Sequence, residues 1–333
     1  MLCCVGLVVA SCNAEAAPAL PTPEVLDLPE DQYVGVAWLG DSTMVATATR
    51  QTSRGSSDEL LVIEGDEVEP IALEPVDPCR RESIRTLSTL PDGRLGFAVD
   101  CDAVAGEFTP SSVRVLDLAT GASEEVARLP SGGFGGYTFS PGFDRGLMAD
   151  SSRICSTIAE IANGEVISTE IVVNDGDRSF GISDQFRDRP DSCTEYGNAD
   201  LPAWSPDGTQ IAFFASSAAI GSSGPERLAA PWNLYLMEPD DKVAEPVLTG
   251  ITSPYKLTWS RDSRHLAFSA DEFDGRVGVW VFTPESGEVR QVADELVFQL
   301  SWSPEGDRLA GLGMVSDLDG PSQIVIVRTG LEE

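Results

Sequence analysis

A ten-residue pattern, Trp204-Ser-Pro-Asp-Gly-Thr-Gln-Ile-Ala-Phe213, is followed by two close copies, Trp259-Ser-Arg-Asp-Ser-Arg-His-Leu-Ala-Phe268 and Trp302-Ser-Pro-Glu-Gly-Asp-Arg-Leu-Ala-Gly311. Each copy reads as strand, tight turn, strand. Ser-Pro-Asp-Gly suits a type I turn: proline presets φ at the second position, aspartate tolerates the third, and glycine takes the last. The flanking Ala-Trp and Ile-Ala-Phe segments carry the apolar and aromatic residues of half-buried strands. One such hairpin cannot bury its apolar face alone. Repetition therefore implies stacked copies around a shared core.

Earlier in the chain the aromatic position of the repeat aligns with Trp38, Thr89 and Phe139, which makes six copies spaced 51, 50, 65, 55 and 43 residues apart. That average is close to the length of a four-stranded propeller blade. A second pair of strand-like runs follows the inner hairpins, for example Glu59-Leu-Leu-Val-Ile63 with Pro70-Ile-Ala-Leu73, and Val277-Gly-Val-Trp-Val-Phe282 with Val289-Arg-Gln-Val292. In the third unit, Asn163-Gly164 marks an outer hairpin between Ile158 and Val172. The sixth unit gives Gln323-Ile-Val-Ile-Val327 and leaves no room for a fourth strand before Glu333. Glu24-Val-Leu-Asp-Leu28, ahead of the first copy, is the candidate for that missing strand. The expectation is an all-β, six-bladed propeller of four-stranded antiparallel blades over residues 24–333, behind an export signal (1–11) and an Ala/Pro-rich tether (12–23).

The Trp-Ser-Pro-Asp-Gly turn followed by an Ile-Ala-Phe strand resembles the repeat of the TolB-type six-bladed propeller, over about Val34 to Arg328 and most closely in copies four to six. The resemblance implies a fold and not a partner, since such propellers serve many functions. The separate N-terminal α/β domain of TolB has no counterpart in this sequence.

Met1 to Ala10 is apolar but too short to span a bilayer as a helix, and it reads as the hydrophobic part of an export signal. Val9-Ala-Ser-Cys12 resembles a bacterial lipobox, which makes Cys12 the expected lipidated N-terminus of a protein held outside the cytoplasmic membrane or in the periplasm. Asn13-Ala-Glu-Ala16 offers a rival cleavage that would release a soluble chain. Beyond Cys12 the mature chain keeps Cys79, Cys101, Cys155 and Cys193. An even number in an exported chain favours two disulfides. In a propeller all four fall on one face, at strand-B ends and at the B–C and D–A connections, so the expected pairs are Cys79–Cys101 and Cys155–Cys193.

A formal charge of −32 argues against nucleic acid and anionic lipid as partners. His265 is the single histidine and no G-x-S-x-G elbow occurs, so nothing suggests a Ser-His-Asp triad. Cysteine and histidine spacings for zinc are absent. Asp175-Gly-Asp177, Asp271-Glu-Phe-Asp274 and Asp317-Leu-Asp319 match no calcium loop and read as solvated turn acids. Gly132-Gly-Phe-Gly-Gly136 lacks the strand-to-helix context of a phosphate cradle. The repeated tryptophans read as packing between blades. The long segments Ser216–Pro231 and Asn174–Pro202 emerge on the cysteine-bearing face, where a rigid scaffold places binding loops. The sequence thus points to a monomeric, non-enzymatic binding module without cofactor or metal, touching the membrane only through its lipid and engaging an envelope protein, peptide or glycan. The alternatives are a metal-assisted carboxylate enzyme in the central channel and a purely structural envelope lipoprotein. Acids converging on the channel mouth would favour the enzyme, and a lining of small and apolar residues the binder.

Overall fold

The computed structural model describes residues 20–28, 32–52, 55–73, 82–90, 92–101, 111–129, 134–140, 145–150, 157–162, 165–167, 170–175, 178–183, 198–216, 231–239, 243–313 and 322–331. These residues form 25 strands and no helix. After β1 (Glu24–Val25) the first sheet is β2 (Gln32–Trp38), β3 (Thr43–Thr52), β4 (Gly55–Glu64) and β5 (Glu67–Ile71), paired in chain order. The second is β6 (Glu82–Thr89), β7 (Leu95–Cys101), β8 (Ser111–Asp117) and β9 (Ala122–Leu129). The third is β10 (Phe134–Phe139), β11 (Arg145–Asp150), β12 (Thr157–Ala162) and β13 (Glu165–Ile167). Next come a hairpin, β14 (Glu170–Asp175) and β15 (Arg178–Ser183), and then β16 (Asn198–Trp204), β17 (Ile211–Ser216), β18 (Trp232–Met237) and β19 (Val243–Trp259). The last strands are β20 (Leu266–Phe273), β21 (Arg276–Thr283), β22 (Glu288–Ala293), β23 (Val297–Trp302), β24 (Arg308–Gly313) and β25 (Gln323–Arg328).

β19 serves two blades. Its first half pairs with β18 (Leu236 opposite Glu245) and its second half with β20 (Trp259 opposite Leu266). The chain turns from one blade to the next around Gly250 and Ser253, whose φ values of 80° and 46° lie in the left-handed region. The sixth sheet runs β23-β24-β25-β1, so its outermost strand comes from the other end of the chain, with Glu24 opposite Ile326 and Val25 opposite Val325. The Leu26 amide continues the pairing to the Ile324 carbonyl at 3.0 Å. Leu26 and Leu28 are half-buried against a core cluster of Tyr33, Trp38, Leu312 and Ile324.

All six residues aligned as repeat anchors end the innermost strand of their blade: Trp38, Thr89, Phe139, Trp204, Trp259 and Trp302. The turns after the last three are built alike. Gly208, Ser263 and Gly306 donate their amides to Ser205, Ser260 and Ser303 carbonyls at 2.9–3.0 Å, and their φ values lie between 62° and 78°. Glycine adopts that conformation freely, whereas Ser263 adopts it as a strained non-glycine residue. A carboxylate braces each turn. Asp207 Oδ1 accepts from Ser205 Oγ at 2.6 Å and the Thr209 amide at 3.0 Å, and Asp262 does the same for Ser260 and Arg264. In the sixth copy Glu305 replaces that aspartate and Asp307 takes over the contact with Ser303 Oγ, at 2.9 Å. Burial raises the pKa of Asp207, but the hydrogen bonds from Ser205 and Thr209 outweigh it and the net shift is downward.

The third blade departs from the sequence expectation. Its outer strand is the three-residue β13, and Val172 belongs to β14, which pairs with β15 and, in parallel, with β19 (Val172 opposite Val243). The run expected to follow an Asn163-Gly164 turn, which itself lies outside the described residues, is thus divided between the end of blade three and an added hairpin on blade four. Cys12, Cys79, Cys155 and Cys193, the export signal and the segment 217–230 lie outside the described residues. Cys101 ends β7, its side chain also outside them.

Candidate functional site

The inner strands set the geometry of the channel. Each of the six carries one break in its ladder: between Tyr33 and Gly35, Arg85 and Ser88, Phe134 and Gly136, Asp200 and Ala203, Pro254 and Leu257, and Phe298 and Ser301. Such bulges bend a strand and re-aim side chains, and they concentrate at barrel rims and next to sites. Leu201 and Gln299, each three residues before its tryptophan, take φ values of 53° and 55° at these breaks.

Beyond the bulges the inner strands are stitched to one another. The Trp38 amide donates to Ser301 Oγ at 3.0 Å and the Trp204 amide to Thr138 Oγ1 at 2.8 Å, while Thr89 Oγ1 donates to the Trp38 carbonyl. Trp259 Nε1 donates to the Ala203 carbonyl at 3.0 Å, and Trp302 Nε1 to the Thr258 carbonyl at 3.1 Å. The four anchor tryptophans are only 4–7% exposed. They therefore act as packing between neighbouring blades.

These strand ends enclose a cavity with about 130 Å³ of space open to water. Its wall combines the four tryptophans with Leu87, Leu257 and Leu300, the hydroxyls of Ser88, Thr89, Thr138, Thr258 and Ser301, and two cations, Lys256 and Arg261. Among the described residues no carboxylate lines it. Arg261 is exposed and stands at the turn position that proline holds in Pro206 and Pro304.

Lys256 is the unusual member. Its side chain is half-buried and lines the cavity. Desolvation pushes its ammonium down to about 8. No hydrogen bond or ion pair to it exists among the described residues. Tyr255, beside it in the chain, gives its hydroxyl instead to Asp271 at 2.8 Å.

The residues singled out in the sequence lie elsewhere. His265 is half-buried on the outer side of the fifth turn, its Nδ1 3.0 Å from Thr283 Oγ1 and its ring 6.3 Å from that of Trp302. Burial, only partly opposed by Asp262, lowers its pKa. Asp271, Glu272 and Asp274 are exposed on β20 and the turn after it, and among the described residues no group of three metal-ligating side chains forms. The long segments expected to bind fall largely outside the described residues. The described cavity opens at the other end of the inner strands, beside the Trp-Ser-Pro-Asp-Gly turns. Sequence reading passed over Lys256, although it is one of only two lysines in a chain that otherwise uses arginine.

No protein-family model matches the chain, and no curated protein matches it. Among solved structures, TolB from Acinetobacter baumannii superposes with a TM-score of 0.53 at 13% identity, over 87% of this chain and 65% of that one. The fold is a TolB-type β-propeller. The chain spans 65% of the length of that TolB. An α-L-arabinofuranosidase from Fusarium graminearum gives a TM-score of 0.57 at 12% identity, covering 93% of this chain and 98% of that one. A puromycin-hydrolysing peptidase from Mycobacterium tuberculosis gives 0.54 at 12%, covering 94% and 55%. These two overturn the expectation of a non-enzymatic chain. Propellers of this shape occur in enzymes, so the lack of a triad in the sequence does not remove the chain from that class. At these identities the likeness extends to the fold alone.

Proposed function

We propose that the chain is an exported binding module of the cell envelope, tethered through a lipid on Cys12, and that it receives part of an envelope protein or peptide at the channel mouth beside the Trp-Ser-Pro-Asp-Gly turns. The cavity lining carries this reading: apolar walls, five hydroxyls and two cations, with no carboxylate among the described residues. A concave site in which apolar side chains stand beside hydroxyls and cations suits recognition of a chain segment.

A photo-cross-linker placed at Leu90, on the cavity wall, and at Val277, exposed on β21, tests the reading in envelope preparations of the native host. A partner captured from Leu90 and not from Val277 supports it; equal yields from both positions refute it. Mass spectrometry of the mature N-terminus reads the anchor separately. An acylated Cys12 is expected, and a chain beginning at Ala17 without acyl mass removes the tether.

A further inference from the structure

We propose that Lys256 anchors the terminal carboxylate of a peptide that enters the channel from the Trp-Ser-Pro-Asp-Gly face and carries no other negative charge. The inference rests on the channel-mouth reading above and names the chemistry of its ligand. Lys256 lines the cavity as an ammonium with no carboxylate or carbonyl partner among the described residues. Buried charges in folded proteins are ordinarily paired. A half-buried ammonium that faces a cavity without a partner among the described residues is open to an anion that arrives with the ligand.

Two hydroxyls in the same wall are already polarised toward donation. Thr138 Oγ1 accepts the Trp204 amide at 2.8 Å and Ser301 Oγ accepts the Trp38 amide at 3.0 Å. Each thus spends one of its two lone pairs on an amide and keeps an O–H proton to give. An ammonium with two hydroxyl donors satisfies the two oxygens of a carboxylate.

The remaining observations narrow the ligand. Space for about 130 Å³ of water admits an end group and not a folded surface. Sugars are held on exposed aromatic faces, and these tryptophans are 4–7% exposed and wedged between blades. A protein of net charge −32 repels polyanions at a distance, which disfavours polyphosphates and polyuronates. What remains is a ligand whose single negative charge sits at its end. Among the described residues the other charged group on the cavity wall is Arg261, at the mouth, and the Tyr255–Asp271 pair lies beside Lys256 on its own and the adjoining strand.

The chain contains only two lysines, Lys242 and Lys256, so ¹³C labelling of the lysine side chains of the full protein gives two signals, and the Lys256→Met variant assigns them. The probes are N-acetyl-trialanine with a free carboxylate, its C-terminal amide, and inorganic phosphate, each at millimolar concentration. The free acid is expected to raise the Lys256 titration midpoint above about 8, to bind roughly ten- to a hundredfold more weakly to Lys256→Met, and to weaken as pH rises past that midpoint. The amide is expected to leave the Lys256 signal unmoved. Equal effects of acid and amide, displacement of the peptide by equimolar phosphate, or no response to the acid would each overturn the proposal. If Leu90 still captures a partner while Lys256 does not respond, the carboxylate is wrong and the channel-mouth reading stands.

Discussion

Replacing Lys256 by Met is expected to stabilise the fold at neutral pH. The stem keeps its length, its contacts with the cavity wall survive, and only the charged end is lost. A fall from 10.5 to about 8 is the desolvation cost of the ammonium, and at about 1.4 kcal/mol per pKa unit it comes to roughly 3–4 kcal/mol. Part of the side chain is wetted by the cavity, so the gain should fall between about 1 and 3 kcal/mol, or roughly 2–6 °C in melting temperature. The pH dependence gives the sharper reading. Below about 8 the lysine is charged in both folded and unfolded chains, and the folded state bears the full cost. Between about 8 and 10.5 the folded chain binds fewer protons than the unfolded one, so the stability of the wild type climbs with pH and the advantage of the variant shrinks. Above that window the two should converge. Tyr255, pushed up to about 12 by burial and by Asp271, does not titrate within it. Urea melts of both proteins from pH 6 to 11 read the difference. A variant equal to or less stable than wild type at pH 7, or a gap indifferent to pH, would refute the argument.

Trp259→Phe and Trp302→Phe should each cost about 1–3 kcal/mol, because each leaves a carbonyl of the neighbouring blade without its indole donor. Trp38→Phe should cost less, since its indole N–H is buried without a partner among the described residues; thermal melts rank the three. Gly311→Ala should destabilise by about 1–3 kcal/mol, because a Cβ there would stand 2.3 Å from Val297 Cγ1 and 2.8 Å from the Phe298 carbonyl. Removing residues 20–28 uncovers the edge of β25 and the cluster under Leu26 and Leu28, so a lower melting temperature and dimers or aggregates on size-exclusion chromatography are expected. The lowered pKa values of Asp207, Asp262 and Asp307 make these turns contribute stability that is present above the ordinary aspartate range and lost as pH falls through it. Asp207→Asn should flatten the acid limb of a stability–pH curve.

What was legible in the sequence was whatever local chemistry decides. Ser-Pro-Asp-Gly specifies a turn by its own backbone preferences, and an apolar run on either side specifies the strands, so each aligned anchor residue from Trp38 to Trp302 ends an inner strand. The β14–β15 hairpin was not legible for the converse reason. Glu170-Ile-Val-Val is a β-branched run of the kind that a blade's outer strand would carry, and a non-local parallel contact, Val172 with Val243, commits it to the neighbouring blade. Local pattern is blind to that choice.

The bulges explain why the site itself stayed hidden. Pleating alone assigns side chains to faces by strict alternation, and a bulge inserts one residue and breaks the count. In blade four, Leu201 and Pro202 stand opposite the single residue Phe213; in blade six, Gln299 and Leu300 stand opposite Gly311. Both extra pairs lie three and two residues before the tryptophan. In blade five the break falls one residue earlier, and Tyr255 and Lys256 stand opposite Ser269. That offset separates the equivalent positions chemically. Where blades four and six place Leu201 and Gln299 with φ near 54°, blade five spends its left-handed residue at Ser253, before the bulge, and Lys256 comes into the cavity wall. Within the bulged segments themselves no glycine stands at any of the three breaks; the one glycine nearby, Gly311, lies on the facing strand opposite the break in blade six. A lysine reads in sequence as a solvated surface residue, and the displaced bulge places this one in the wall of the cavity.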